Sequence, residues 1–270
     1  MARINVWKLC WVFALSVGCN VNIFADTVTN PCGGASMLLN IVNRPTVSDS
    51  ACVVPLKDVV IEAGYQYQKL THSGGVQQNF PQAQFRLGLP ANNEFTVLLP
   101  NYIHQSKNSG SGLTATTVGL KHEIGYTQTW LGTVEALITL PSGSEAYGSK
   151  GTGAAFNGIV NYTFNPLFGL SFMLGVTSET ESSLNGGGRF TSINPDLVLS
   201  YSATEKLLLY GEIYGQSKTG PSEGSGFNSD AGVIYLLTPK MTVDLEIGQR
   251  ISGNLNGFNH YVGGGFSVMF

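Results

Sequence analysis

Connections of two lengths take turns along this chain. From residue 56 onward, stretches of about ten residues with alternating apolar and small or polar side chains are joined first by a loop, then by a tight turn. The tight turns are "PANN" (90–93), "GYTQT" (125–129), "NP" (165–166), "ATEK" (203–206) and "TPK" (238–240). Between them lie "THSGGVQQ", "HQSKNSGSG", "PSGSEAYGSKGTG", "SETESSLNGGGR", "QSKTGPSEGSG" and "SGNLNG". The repeating unit is therefore one β-hairpin, with all short turns at one end and all long loops at the other. A β-sandwich gives no reason for such asymmetry, whereas a transmembrane barrel has short turns at one rim and longer loops at the other.

The pattern predicts twelve strands, at 58–70, 78–89, 94–104, 113–124, 130–140, 153–164, 167–178, 191–202, 207–217, 227–237, 241–252 and 259–270. Each is long enough for a tilted strand to cross a bilayer, and the even count puts both chain ends on the same side. Parity assigns the faces. Phe168, Leu170, Phe172, Leu174 and Val176 share one face, and Gly169, Ser171, Met173, Gly175 and Thr177 the other; 59–67 and 241–252 divide in the same way. The same alternation would serve a soluble half-buried sheet, so other features have to decide.

Charge is one of them. Only 11% of residues are charged, against roughly a quarter in ordinary globular domains. A water-soluble surface needs more. The formal net charge of −3 gives no basic footprint for nucleic acid. An export signal is the second feature: Arg3 and Lys8 precede the short apolar "LCWVFALSV" (9–17), and Ile23-Phe24-Ala25 offers a cleavage site near Ala25. Lipidation at Cys19 is the rival exit. With Cys10 and Cys19 removed, Cys32 and Cys52 remain, and an even pair in an exported protein reads as a disulfide. It would close a loop worth roughly 3 kcal/mol by chain entropy. Residues 26–60 hold no His to make a metal site instead, and the reading includes neither metal nor cofactor.

Inward parity places Glu62, Arg86, Lys121, Glu123, Glu135, Asp196, Glu212, Asp230, Asp244, Glu246 and Arg250 in the lumen. Acids outnumber bases there, which fits a wet, mildly cation-preferring passage. The alternative is that these groups pair across a filled interior. Within the disulfide loop, "SMLLNIV" (36–42) suits a helical turn or two that plugs the barrel, or a knot outside its mouth. Aromatic residues at strand ends, including Tyr65, Tyr67, Tyr102, Trp130, Tyr162, Phe168, Tyr201, Tyr210, Tyr214, Tyr235 and Tyr261, suggest interfacial girdles.

Catalysis finds little support. His260 faces outward near the long-loop rim with no outward serine on the preceding strand, where Ser252 points in. His72 and His104, assigned to loops, and His122 near a short turn share no triad or zinc spacing. "GGGR" (186–189) lacks the Lys-Ser/Thr and the helix of a phosphate loop.

Two stretches carry a family resemblance. "PCGGASMLLNIVNRPTVSDSACVVP", with Asn43-Arg44-Pro45-Thr46 between Cys32 and Cys52, is followed by "VVIEAGYQYQ" and "FPQAQFRLGLPANNEFTVLLPNY", and the chain closes on "GGGFSVMF". Together they resemble the outer-membrane transporter-like family described as "putative MetA-pathway of phenol degradation". The resemblance implies an outer-membrane barrel that moves small compounds, aromatic or hydrophobic ones among them. It also implies that Phe270, closing an alternating last strand, is read by the barrel assembly machinery.

The reading is thus an all-β protein: a twelve-stranded antiparallel transmembrane β-barrel with a short N-terminal disulfide-closed segment. Residues 1–25 form a signal peptide, 26–56 an N-terminal periplasmic or plug segment, and 57–270 the outer-membrane barrel. The expected function is a channel or transporter for small molecules with a mildly acidic lumen, not an enzyme, in the outer membrane of a Gram-negative bacterium. Its expected partners are outer-membrane lipid, the assembly machinery and an undefined solute. A closed barrel serving as a surface adhesin or structural protein, and an outer-membrane lipid-modifying enzyme, are the alternatives.

Overall fold

The computed structural model describes residues 30–71, 74–107 and 110–270. The signal peptide, its cleavage near Ala25, Cys10, Cys19, the first residues of the 26–56 segment and His72 lie outside the described residues. One short helix, Met37–Ile41 (α1), precedes the sheet. The strands are Val59–Leu70 (β1), Val76–Phe80 (β2), Gln84–Leu89 (β3), Asn93–Leu98 (β4), Tyr102–Gln105 (β5), Ser111–Leu113 (β6), Thr117–Tyr126 (β7) and Trp130–Thr139 (β8). They continue with Gly153–Asn165 (β9), Phe168–Thr180 (β10), Arg189–Thr204 (β11), Leu207–Gln216 (β12), Gly226–Thr238 (β13), Met241–Ser252 (β14) and Phe258–Met269 (β15).

Neighbours in sequence pair antiparallel around a ring that closes where β15 meets β1, from Val60↔Met269 to Leu70↔Phe258. Closure leaves no open sheet edge, the condition for placing strands in lipid. Three of the twelve wall strands differ from the sequence expectation, because each is made of two pieces: β2 with β3, β4 with β5, and β6 with β7. Pro81 and Pro100 sit in the first two breaks and have no N–H to give the ladder. The third break follows from its neighbours. Leu99 N donates to Ala83 O and Thr114 N to Asn101 O, both at 2.9 Å, so the three interruptions lie side by side. His104 consequently stands in β5, not in a loop, with Nδ1 2.7 Å from Ser111 Oγ.

The outward face is apolar. Ile124, Leu245 and Ile247 are each more than 60% exposed, and Leu120, Phe156, Leu199 and Ile213 are more than half exposed. In water each side chain of this kind forgoes about 1.5–3 kcal/mol of transfer energy, which lipid supplies. Outward aromatic residues form two groups. Tyr65, Phe80 and Tyr102 meet toward the long loops, with centroids 6.1 and 5.4 Å apart. Trp130, Tyr162 and Phe164 meet at the short turns, as do Phe168 and Tyr201. Tyr210, Tyr214 and Tyr261 correct the girdle expectation, since all three turn inward and are buried. Their even or odd parity with Glu212 and Gly263 already put them on the lumen face.

The N-terminal segment occupies part of the interior. Cys32 and Cys52 are bonded, and the loop they close enters the barrel instead of forming a knot outside it. Leu38, Leu39, Ile41, Val42 and Val54 pack on inward-facing Val60, Leu131, Ile159, Ile234, Leu236 and Met269. The segment leaves over β3, where a side chain on Gly88 would collide with the carbonyls of Val54 and Pro55.

The plugged lumen as a candidate functional site

Lumen charges hold the plug by its backbone. Glu62 on β1 accepts the amides of Asn43, at 3.1 Å, and Arg44, at 2.8 Å. Glu212 on β12 accepts those of Val47 and Ser48, at 3.0 and 2.8 Å. Glu94 on β4 accepts that of Val54 at 2.8 Å. An aperiodic segment has amides without ladder partners, and buried amides need acceptors; carboxylates give the stronger, charge-assisted bond. The bases serve the carbonyls. Arg86 donates to Ile41 O and Cys52 O, Lys121 Nζ to Ser50 O at 3.0 Å, and Thr133 Oγ1 to Ala51 O.

Arg86 is the hub of this arrangement. Its guanidinium has no exposure, and it pairs with Glu94 through Nε at 2.7 Å and Nη2 at 2.9 Å, and with Glu62 through Nη1 at 3.0 Å. Lys121 adds a longer contact to Glu94 at 3.9 Å. Gln84 Nε2 and Ser267 Oγ complete the shell of Glu62. On this wall Glu62 and Glu94 are matched by Arg86 and Lys121.

The wall from β11 to β14 is different. Asp196, Glu212, Asp230, Asp244 and Glu246 line it, and Arg44 of the plug is the base that reaches it, 3.1 Å from Asp244 and 3.9 Å from Glu246. Glu212 and Asp230 stand directly opposite each other in register, an arrangement that disfavours two charges. Asp230 Oδ2 accepts the Tyr261 hydroxyl at 2.7 Å, and the carboxyls of Asp230 and Asp196 both stand against that of Glu212.

The other expected lumen residues differ in depth. Glu135 is buried, held by Asn157 at 2.9 Å and facing Asp49 of the plug. Glu123 is buried near the short turns, where Asn92 donates to it at 3.2 Å. Arg250 has inward parity but is exposed at the long-loop rim, and its Nη1 donates to Gly253 O. Two key residues were missing from the sequence reading. Glu94 opens an expected strand beside a tight turn, and its parity with Thr96 was the available signal. Arg44 lies in a stretch with no periodicity; the family resemblance marked Asn43-Arg44-Pro45-Thr46, but no parity placed Arg44 in the lumen. His260 is exposed on the outward face, opposite Lys69 and Gln249.

Plug and walls divide the lumen into two cavities. One, of about 610 Å³, opens toward the long loops between Arg44, Glu246, Tyr214, Tyr261 and a run of amides that includes Gln66 and Gln77. It reaches the strand breaks at Gln82, Leu99 and Asn101. The other, of about 470 Å³, lies toward the short turns, beneath Asn40, Ser50 and Cys52. Thr46 and Asp49 border both, so the plug backbone there is the partition.

Solved structures share this architecture. The COG4313 outer membrane channel from Pseudomonas putida F1 matches 83% of this chain and 100% of its own, with a TM-score of 0.69 at 11% identity. The KdgM porin matches 78% and 99%, with a TM-score of 0.54 at 9% identity. The NanC porin matches 78% and 98%, with a TM-score of 0.53 at 12% identity. At such identities the likeness is one of fold. No curated protein matches the sequence. The family model described as "Putative MetA-pathway of phenol degradation" matches residues 42–270, the plug from Val42 and the whole barrel, and the chain belongs to that family.

Proposed function

We propose that the chain is an outer-membrane channel for small molecules, closed at rest by its own N-terminal segment. The observation that carries this reading is the plug itself, which stands between two cavities of a closed barrel and is held by side chains of the wall. Side-chain hydrogen bonds hold the segment, whereas backbone ladders hold the barrel, so the segment can yield while the barrel stays intact. The fold neighbours named as channels and porins support the same reading. On this reading residues 1–25 leave on export, 26–56 form the plug, 57–270 the barrel, and the short turns face the periplasm.

The charge of the lumen sets its preference. With the plug withdrawn, Arg44 leaves as well, and the acids of β11 to β14 concentrate cations. Planar-bilayer recording of the mature protein and of a variant lacking residues 31–54 tests this. The intact protein is expected to show small or rare openings, and the deletion a severalfold larger conductance with cation preference. Equal conductance of the two proteins, or anion preference after deletion, would remove the proposal.

A further inference from the structure

We infer that Asp244, Glu246 and their neighbours on the acidic wall form a binding site for a guanidinium-bearing organic cation, which Arg44 occupies from within while the plug is seated. The inference rests on the channel reading only in taking that cation to be a passing solute; the site stands on geometry of its own.

Its shape fits a flat, fork-shaped cation. Arg44 Nη2 donates to Asp244 Oδ1 at 3.1 Å and Nε to Oδ2 at 3.4 Å, a two-pronged grip on one carboxylate. Nη1 donates to Gln82 Oε1 at 2.9 Å. Beneath the group lie Gly64 and Gly265, which are register partners on β1 and β15. A Cβ at Gly64 would fall on the guanidinium carbon and its terminal nitrogens, and one at Gly265 on Nε. Two facing glycines thus clear a slot of the depth of one planar group.

The wall holds more carboxyl groups than Arg44 can match. Asp230, next to Glu246, is buried and faces Glu212 across the ladder. Asp196 is buried against the carboxyl of Glu212 from the other side. Carboxyls crowded in this way are relieved by a shared proton or by a cation with several N–H groups. The site is also reachable. Arg44, Gln66, Gln82, Glu246, Tyr214 and Tyr261 all border the cavity on the long-loop side, so a solute arriving there meets the slot before it meets the plug backbone. Tyr214 and Tyr261 line the same cavity with aromatic surface. Displacing the Arg44 side chain would leave this part of the plug held by the amides of Asn43 and Arg44 on Glu62.

Calorimetric titration of the detergent-purified full chain with methylguanidinium tests the site without requiring conduction. Arg44→Ala, with the slot empty, is expected to bind about tenfold more tightly than the native protein, and adding Asp244→Asn to lose that gain. Tetramethylammonium has the charge without N–H donors and should bind Arg44→Ala at least about tenfold more weakly. Arg44→Lys, which keeps a cation but not the fork, should fall between native and Arg44→Ala. Heat-modifiable migration on gels verifies that each barrel is folded. Equal affinity in native, Arg44→Lys and Arg44→Ala proteins, or no effect of Asp244→Asn, overturns the inference, as does equal binding of tetramethylammonium. Binding by Arg44→Ala together with a silent plug deletion would keep the site and remove the channel reading; a conducting deletion with no binding by Arg44→Ala would do the reverse.

Discussion

Arg86 shows what a single residue does in this lumen. It links two carboxylates on different strands to two carbonyls of the plug, and neither its own side chain nor those of Glu62 and Glu94 have any exposure. Removing one partner from a buried ion pair strands the other, at a cost of about 3–5 kcal/mol, whereas replacing the set together is often tolerated. Arg86→Met should therefore lower the urea midpoint of the barrel in detergent. Combining it with Glu94→Gln should recover part of the loss, because the two sites share one network. An unchanged midpoint in Arg86→Met would show that water or rearrangement compensates the acids. Parity alone brought Glu62, Arg86, Lys121 and Glu212 to the lumen face, since a strand's period of two needs no tertiary information. It did not reveal what they hold. Their partners are plug amides and carbonyls that have no period, so how the plug is seated follows only from contacts far apart in sequence, such as Ser48 with Glu212.

At the scale of elements, the plug and the wall differ in what secures them. The wall strands are held by backbone ladders along most of their length; the plug has one five-residue helix, a few carboxylate sockets and the Cys32–Cys52 bond. That bond spans 20 residues of sequence and constrains the open chain by roughly 3 kcal/mol. Converting both cysteines to Ser should leave the barrel folded but lower hydrogen-exchange protection in 37–54 by about a hundredfold, the same energy expressed as local opening. Unchanged protection would mean that the sockets alone hold the segment, and loss of the barrel's heat-modifiable migration would mean that the two units are not separable. The strand breaks show where element-level reading stopped. Pro81 and Pro100 stood in view inside two expected strands, and a proline within a run argues for interruption. The third break, at 114–116, has no such residue. It follows from Thr114 bonding to Asn101 and Leu140 N to Thr116 O, which no local pattern encodes.

For the whole molecule the decisive event is closure, and it occurs at the last residue. Phe270 N donates to Val59 O at 2.9 Å and Val59 N to Phe270 O at 3.4 Å, so the terminal peptide finishes the seam that begins the barrel. Its ring is 63% exposed on the outward face, in line with Phe266 and Val262. Backbone and side chain thus have separable roles. The seam bonds belong to the backbone and survive any substitution that keeps the residue extended. The ring adds at most the transfer energy of one aromatic, about 1.5–3 kcal/mol. If the assembly machinery reads the terminal aromatic, as we propose, Phe270→Ser should cut the amount of barrel reaching the outer membrane severalfold. The same protein purified and refolded in detergent should still migrate as a folded barrel. Phe270→Trp, which keeps an aromatic terminus, should restore cellular assembly. Deleting Phe270 removes the seam bonds too, and should weaken the refolded barrel as well as its assembly, since unpaired backbone groups at membrane depth cost several kcal/mol each. Normal membrane levels of Phe270→Ser would sink the signal role, and a refolding defect in that variant matching its cellular defect would assign the ring to closure instead.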